Sequence, residues 1–349
     1  MVPGIGITYR PWASSHASAT CAEVAPARSA ISLTRPTMAR LARSAACWKR
    51  GSPRRKSDRL LCGVAVPNFG DEPAGLIELG VAAEQAGFDG FFLWDHIVFS
   101  NSGDGPPIID PWLVLAVVAA RTSRIKLGTM ITPVPRRRPW QLARQVTSLD
   151  RLSGGRVILG VGIGSPAYGD FGVFHEPSGD RVRAGLLDEG LDVMNGLWSG
   201  ERFSYAGQHF TVDPVRFTPV PVQRPRVPVW VGGVLPATGP IARAARWDGA
   251  VPIRFADRSL VRPSAEDIAG VRDQVAAARG PGNHFDLVVW AEVAPQPQEV
   301  PGLAVPYLAA GATWWIETAK PQPRWWEAVT QRVAAGVLGG GDGDLAGAT

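Results

Sequence analysis

The segment RIKLGTMITPVPRRRPWQLARQVTSLDRLSGGRVILGVGIG, residues 124–164, contains two apolar runs on either side of a longer mixed run. The outer runs, RIKLGTMIT and RVILGVGIG, have the length and composition of buried strands. The central run, RPWQLARQVTSLDRLSGG, predicts a helix that ends at Gly154, because glycine is favoured just past the last turn of a helix. The segment therefore predicts a strand–helix–strand unit.

Similar units extend in both directions along the chain. Eight apolar runs in all predict strands, each followed by a helix; the other six are LLCGVAVP, FDGFFLW, VPVWVGG, DGAVPI, FDLVVWAEV and ATWWIET. Eight units in about 250 residues are typical of an α/β fold of the closed (β/α)8 TIM barrel type, and a doubly wound open sheet is the alternative. RFSYAGQHFTVD predicts a small hairpin insertion after the fourth βα unit, around Ala206 and Gly207.

Charge is distributed unevenly along the 349 residues. Residues 1–57 contain ten Lys and Arg and one acidic residue, Glu23, whereas the remainder has 26 basic and 30 acidic residues. The mildly acidic body argues against nucleic-acid binding. Residues 1–57 are rich in Ala, Ser, Arg and Pro without a sustained period, so we expect a disordered extension or a start assigned too early. A transit-type peptide and an independent domain are the alternatives.

The expected domain is a barrel over residues 58–336, followed by a flexible Gly- and Asp-rich tail at 337–349. No run of about 18 apolar residues occurs, so we expect no membrane-spanning helix. The three cysteines, Cys21, Cys47 and Cys62, have neither paired nor metal-like spacing. A cytoplasmic location is the natural expectation.

Active sites of TIM barrels lie at the carboxyl ends of the strands, so the residues there are the candidates. The second strand ends in Asp95 and His96. A histidine titrates near neutrality and can move a proton, and an adjacent carboxylate can favour its charged form or bind a polar cofactor edge. The structural alternative is an aspartate that caps a helix beside a solvent-facing histidine.

Glycine-rich endings are the second group of candidates. The fourth strand ends at Gly162 and Gly164, but a loop follows, which argues against a dinucleotide fingerprint. Such an ending lets a ligand approach the backbone, with hydroxyls from Ser165 and Tyr168 nearby, or it simply forms a tight turn. The pair Gly232–Gly233 precedes a helix, an arrangement that suits a phosphate but is also a common turn.

Three arginines, Arg136 to Arg138, follow the third strand. They suit a polyanionic group, although a solvated face is the simpler interpretation. The remaining histidines of the body are isolated, and neither HExxH nor CxxC occurs, so we expect no catalytic metal.

Several stretches together resemble the luciferase-like monooxygenase superfamily; they are GFDGFFLWDHI, residues 124–164, DEGLDVMNGLWSGERFSYAGQHFTVD, PVQRPRVPVWVGG and AARWDGAVPI. They occur in the family's order and span roughly Leu60 to Gly336. The resemblance implies a (β/α)8 barrel that binds reduced FMN or the deazaflavin coenzyme F420 at the strand ends. The family's F420 enzymes often have Asp-His after the second strand, where its FMN enzymes often have a Glu-His-His type ending. Asp95 and His96 thus favour F420.

The resemblance also implies roles for particular residues. Asp95 and His96 would contact the ring edge and the substrate. The family often has a bulge with a non-proline cis peptide behind the ring, which falls at Met130–Ile131, next to Thr132. The glycine-rich endings would meet the ribityl and phosphate parts of the cofactor. The positions expected to bind cofactor are Asp95, Met130, Ile131, Thr132, Gly162, Gly164, Ser165, Tyr168, Gly232 and Gly233.

One departure from the family pattern weakens a prediction of sugar-phosphate or alcohol dehydrogenase activity. Some F420 dehydrogenases of the family have a Glu on the first strand as a proton donor, whereas this chain has Asn68, and no Glu near the ring follows Gly164. Three hypotheses remain. The first is F420-dependent hydride transfer to or from a small organic substrate, and the second is a two-component monooxygenase that uses O2 and FMNH2 from a separate reductase. The third is a non-catalytic flavin-binding barrel. Members often dimerise, so the resemblance implies a homodimer.

Overall fold

The computed structural model describes residues 60–337 apart from 103, 257–258, 281–283, 294–298 and 322–323. The extension predicted at residues 1–57 lies outside the described residues, as does the predicted tail apart from Val337. Within the described part of the chain, no helix has the length and apolar character needed to cross a membrane.

Eight parallel strands close into a barrel. They are β1 (Leu61–Val66), β2 (Gly90–Leu93), β3 (Lys126–Pro133), β4 (Val157–Gly162), β7 (Val229–Val234), β8 (Gly249–Ala256), β10 (Asp286–Glu292) and β11 (Trp314–Thr318). Neighbours pair in this order, and β11 pairs with β1 to close the ring. β8 pairs directly with β10, because the strand that lies between them in the sequence is outside the barrel. The predicted TIM barrel is confirmed, and the open sheet is wrong.

A helix follows each barrel strand. The helices are α1 (Pro73–Gln85), α2 (Pro111–Arg121), α3 (Pro139–Ser153), α4 (Asp180–Trp198), α5 (Thr238–Ala244), α6 (Ala265–Arg279), α7 (Val300–Ala309) and α8 (Trp325–Ala334). Local chemistry sets their ends: Asp110 accepts from the N–H groups of Trp112 and Leu113 at the start of α2, and Gly154 ends α3 with a φ of 68°.

Three short strands lie outside the barrel. β5 (Arg202–Ala206) and β6 (Thr211–Arg216) form an antiparallel hairpin between α4 and β7, as predicted for an insertion after the fourth βα unit. β9 (Ser259–Val261) pairs antiparallel with the end of β8. The hairpin strands pair with each other, so the barrel ladder is independent of them.

Alternation along each strand divides the core into two layers. The barrel interior is filled by Ala65, Phe92, Met130, Ile158, Trp230, Val251, Val288, Trp290, Trp314 and Ile316. The larger layer packs between the strands and the helices. On β2, Phe92 points inward and Leu93 outward. The same alternation turns Trp94 toward the barrel interior and Asp95 toward the surrounding helices.

Candidate active site

The Asp95 carboxylate lies behind β2 and β3, facing the helices, and its side chain is 1% exposed. Its Oδ1 accepts hydrogen bonds from Arg137 Nη2 at 2.6 Å and Arg136 Nη2 at 3.0 Å. Its Oδ2 accepts from Thr132 Oγ1 at 2.8 Å and Trp112 Nε1 at 3.4 Å. Every lone-pair direction of this carboxylate is therefore engaged by protein.

Charge explains why Asp95 remains ionised in this position. Burial alone would raise the pKa of Asp95, but the guanidinium groups of Arg137 and Arg136 outweigh burial and hold the pKa below its usual range. A carboxylate this fully covered has no surface to offer to a bound molecule. The expected direct contact of Asp95 with cofactor or substrate would thus need the side chain to move.

His96 lies beside a carboxylate that sequence analysis did not single out. His96 Nδ1 is 2.6 Å from Asp170 Oδ2, and the two side chains are 16% and 1% exposed. Asp170 Oδ1 accepts from the N–H groups of Ile97 at 2.8 Å and Val98 at 3.3 Å. Burial alone would raise the pKa of Asp170, but the hydrogen bond from His96 and these backbone donors hold it below its usual range.

The Nε2 atom of His96 has no hydrogen-bond partner among the described residues. The ring is surrounded by aromatic side chains, with centroid distances of 4.9 Å to Phe99, 5.5 Å to Tyr168 and 5.8 Å to Trp94. Phe99 and Tyr168 stack at 4.7 Å. The result is an imidazole whose orientation is fixed on one side and whose other nitrogen is available to a ligand.

Asn68, at the position where the family resemblance implied a Glu in some members, is fully buried. Its Nδ2 donates to the carbonyl oxygens of His96 at 2.9 Å and Ile109 at 2.8 Å, and its Oδ1 accepts from His96 N–H at 3.3 Å. Asn68 thus positions the backbone of the histidine loop and does not face a ligand.

The bulge and the cis peptide expected after the third strand are both present. The peptide bond between Met130 and Ile131 is cis, and the pairing register of β3 with β4 shifts between Thr129 and Thr132. Met130 packs inside the barrel, Ile131 is half-buried, and Thr132 is fully buried with its hydroxyl on Asp95. Ile131 is therefore the member of this trio with surface at the barrel mouth.

The glycine-rich endings are explained in the structure by close packing. A methyl group at Gly162 or Gly232 would crowd Ile131, and one at Gly233 would overlap Pro240. Gly164 has a φ of 72°, and a methyl group there would overlap Phe171. The missing side chains thus make room for protein atoms, and a cofactor contact at these four positions remains a prediction.

The two hydroxyl residues predicted after the fourth strand have different surroundings. Tyr168 joins the aromatic group around His96, whereas the Ser165 hydroxyl accepts from Ala167 N–H and caps a short 3-10 turn.

Of the three arginines after the third strand, Arg136 and Arg137 are 2% and 16% exposed because both bind Asp95, so a solvated face is wrong for them; only Arg138 is exposed. Among the described residues, no group of three His, Cys, Asp or Glu side chains could hold a metal ion.

Comparison with known proteins identifies the family. Residues 52–338 match the family model described as luciferase-like monooxygenase. The chain belongs to this family.

Two relatives of this family member are F420 enzymes. The chain is 36% identical over 172 residues to the F420-dependent glucose-6-phosphate dehydrogenase of Microbacterium testaceum, a match that covers 49% of the chain and 48% of the relative. It is 33% identical over 226 residues to the F420-dependent hydroxymycolic acid dehydrogenase of Mycobacterium tuberculosis, covering 58% and 61%. The chain thus spans about half the length of the first curated relatives it matches.

Solved structures with the same fold include both kinds of enzyme. An F420-dependent secondary alcohol dehydrogenase, in complex with an F420–acetone adduct, superposes with a TM-score of 0.63 at 18% identity, over 80% of this chain and 99% of that one. The monooxygenase RslO1 from Streptomyces bottropensis superposes with a TM-score of 0.60 at 21% identity, over 78% and 98%. At these identities the likeness shows the fold alone.

The mouth of the barrel offers polar atoms that suit a flavin-type ring. Trp94 Nε1, Trp290 Nε1 and Thr318 Oγ1 are buried and have no partner among the residues that the structure describes. Trp290 lies in the interior core, Trp94 packs against that core with its ring 6.5 Å from Trp290, and strand alternation turns Thr318 inward next to Ile316. A flavin or deazaflavin ring has apolar faces and carbonyl oxygens along one edge, so aromatic walls with unused donors fit it.

Proposed function

We propose that this chain is an F420-dependent oxidoreductase that transfers a hydride to or from a small organic substrate. The observation that carries the proposal is His96, whose Nδ1 is bound by a buried carboxylate while Nε2 has no partner in the described structure. Oxidation of a carbon–oxygen bond by hydride loss also requires loss of the hydroxyl proton. A fixed imidazole at the mouth of the barrel supplies an acceptor for that proton.

A bound deazaflavin would supply the carbon that gives or takes the hydride. The protein's own residues orient and shield. Trp94, Trp290 and Thr318 would hold the polar edge of the ring, since their donors are buried and have no partner in the described part of the chain. Phe99 and Tyr168 would exclude water from the substrate side of His96. His96 Nε2 would take the proton from a substrate hydroxyl, or return it in the reverse direction.

Asn68 bears on which residue handles the proton. It is buried and donates to two backbone carbonyls, so it neither supplies a proton nor contacts a substrate. The proton chemistry that a first-strand Glu performs in some relatives would therefore fall to His96. The matched regions cover about half of the first curated relatives' lengths. The proposal therefore does not extend to glucose 6-phosphate or hydroxymycolic acids as substrates.

The aromatic surroundings of His96 favour one other candidate, a two-component monooxygenase that uses FMNH2 and O2. Oxygen chemistry on a flavin needs a site from which water is excluded, and Phe69, Trp94, Phe99 and Tyr168 form such a wall. In that enzyme a separate reductase would supply FMNH2.

Fluorescence titration of the full chain with F420 and with FMN, each oxidised and reduced, separates the candidates. We expect F420 to bind in the micromolar range or tighter and FMN to bind at least ten-fold more weakly. Turnover of F420 with a panel of small alcohols and ketones should proceed equally under nitrogen and air. Binding of FMN alone would contradict the proposal in favour of the monooxygenase, and tight binding without turnover of any panel member would favour a non-catalytic barrel.

A further inference from the structure

The two carboxylate oxygens of Asp170 have different partners. Oδ1 accepts from two backbone N–H groups of the loop that follows His96, at Ile97 and Val98. Oδ2 faces His96 Nδ1 at 2.6 Å. Asp170 is 74 residues away from His96 along the chain and is 1% exposed, so this contact is a buried, long-range element of the site.

We propose that Asp170 is a positioning residue that keeps the proton of neutral His96 on Nδ1, and thereby presents the lone pair of Nε2 to the mouth of the barrel. A carboxylate can only accept, so the nitrogen that faces it must carry hydrogen. In a neutral imidazole the other nitrogen is then the acceptor. The catalytic meaning of this assignment rests on the proposed function, whereas the tautomer itself is a property of the protein alone.

The backbone contacts of Asp170 make the effect of one substitution predictable. In Asp170→Asn, the amide oxygen must occupy the Oδ1 position, because the N–H groups of Ile97 and Val98 need an acceptor there. The NH2 group then faces His96 Nδ1 and donates to it. The proton of neutral His96 therefore moves to Nε2, and the site loses its acceptor while its shape is nearly unchanged.

The test is nitrogen NMR of the full chain labelled at histidine nitrogens, with no cofactor added. His96→Gln identifies the His96 signals among those of the five histidines. At a pH where His96 is neutral, we expect a protonated-type Nδ1 and an unprotonated-type Nε2 in the wild type. In Asp170→Asn the two should be reversed, and hydride-transfer kcat should fall about 10²- to 10⁴-fold with KM changed less than three-fold.

Glu189→Gln is the matched control, since Glu189 also accepts backbone N–H groups, at Gln208, His209 and Phe210, but lies on α4 beside the hairpin. It should leave the His96 signals and turnover unchanged. The proposal is overturned if wild-type His96 carries its proton on Nε2, a result that needs no variant to fold, or if Asp170→Asn keeps the wild-type tautomer. The NMR spectra of wild type and Asp170→Asn are both recorded without F420, so failure of cofactor binding and failure of this assignment are separate results.

Discussion

The two ends of the barrel place polar side chains in different surroundings. At the amino ends of the strands, Arg156 donates five hydrogen bonds, to the carbonyl oxygens of Ala119, Thr122, Ile125 and Ser153 and to the hydroxyl of Thr122. All five N–H groups of its guanidinium are used. At the carboxyl ends, by contrast, His96 Nε2, Trp94 Nε1 and Trp290 Nε1 have no partner in the described structure.

The two ends therefore differ in which polar groups a bound molecule could reach. At the amino ends, Glu84 resembles Arg156 in bonding to backbone groups, since it accepts from the N–H groups of Ser123, Arg124 and Ile125. Buried donors without a partner in the described structure occur at both ends, those of Trp314 and Trp315 among them. The donors of Trp94 and Trp290 lie close to His96, where a ligand would complete their hydrogen bonds. Substitution of His96 should thus lower mainly turnover, and substitution of Arg156 should lower mainly stability.

The largest effect on activity is expected for His96→Ala. Removing a positioned proton acceptor should lower turnover with F420 about 10²- to 10⁴-fold. The free energy of unfolding should fall by only about 1–2 kcal/mol, because the ring is partly exposed and leaves an aromatic group behind. Steady-state kinetics and urea unfolding measure the two quantities.

His284→Ala is the control for this substitution, since His284 is 81% exposed and precedes β10 at the opposite end of the barrel. It should leave turnover within two-fold of wild type. Equal loss of turnover in both variants would contradict the separation of the two ends.

Asp95→Asn should have the largest effect on stability. It removes the one carboxylate that two buried guanidinium groups share, and we expect the free energy of unfolding at pH 7 to fall by about 3–5 kcal/mol. The pKa of Asp95 is lowered on folding, so its contribution is complete above the unfolded-state pKa of about 3.9 and is lost as the pH falls through the folded pKa. Urea unfolding should therefore show the difference between variant and wild type shrinking below about pH 4.

Asp192→Asn is the matched control, because its partner Arg246 is 52% exposed. An exposed pair contributes about 0–1 kcal/mol, so the free energy of unfolding should change little. A loss at Asp95→Asn no greater than this would mean that the two arginines find other partners.

Arg156→Met comes next in size and should affect stability alone. It leaves four backbone carbonyls without their donor, and we expect a loss of about 3 kcal/mol, or roughly 6–12 °C in Tm. Turnover per folded molecule should remain near wild type at 20 °C. A large drop in kcat, measured well below the transition, would show that the amino ends also influence the chemistry.

The fold could be predicted from the sequence because its signals are local. Apolar runs, helical spacing, Asp110 before Pro111 and Gly154 after α3 each act within a few residues. The hairpin insertion followed from a similarly local alternation. Closure of the barrel was supported by the number of units and is confirmed by the pairing of β8 with β10.

The site was less predictable, because its partners are distant in sequence. His96 was a candidate from the outset, but Asp170 has no periodic or motif signal and becomes visible only once β2 and β4 are neighbours of β3. The outward orientation of Asp95 follows from the alternation along β2, in which Phe92 points inward and Leu93 outward. For the glycines, sequence alone does not distinguish room for a cofactor from room for Ile131 or Pro240.

The closing pair of strands gives the barrel an uneven mechanical character. β8 and β10 are paired at two positions, Asp286 with Gly249 and Leu287 with Ala250, whereas β10 and β11 are paired at five. The two strands are thus paired only near their amino ends and are not paired toward the mouth. Because the fewest residues are paired along this line, we expect local separation of strands to begin there, beside the Trp290 indole, whose N–H has no partner in the described structure. We therefore expect the width of the mouth to vary more between β8 and β10 than between the seven other pairs of neighbouring barrel strands.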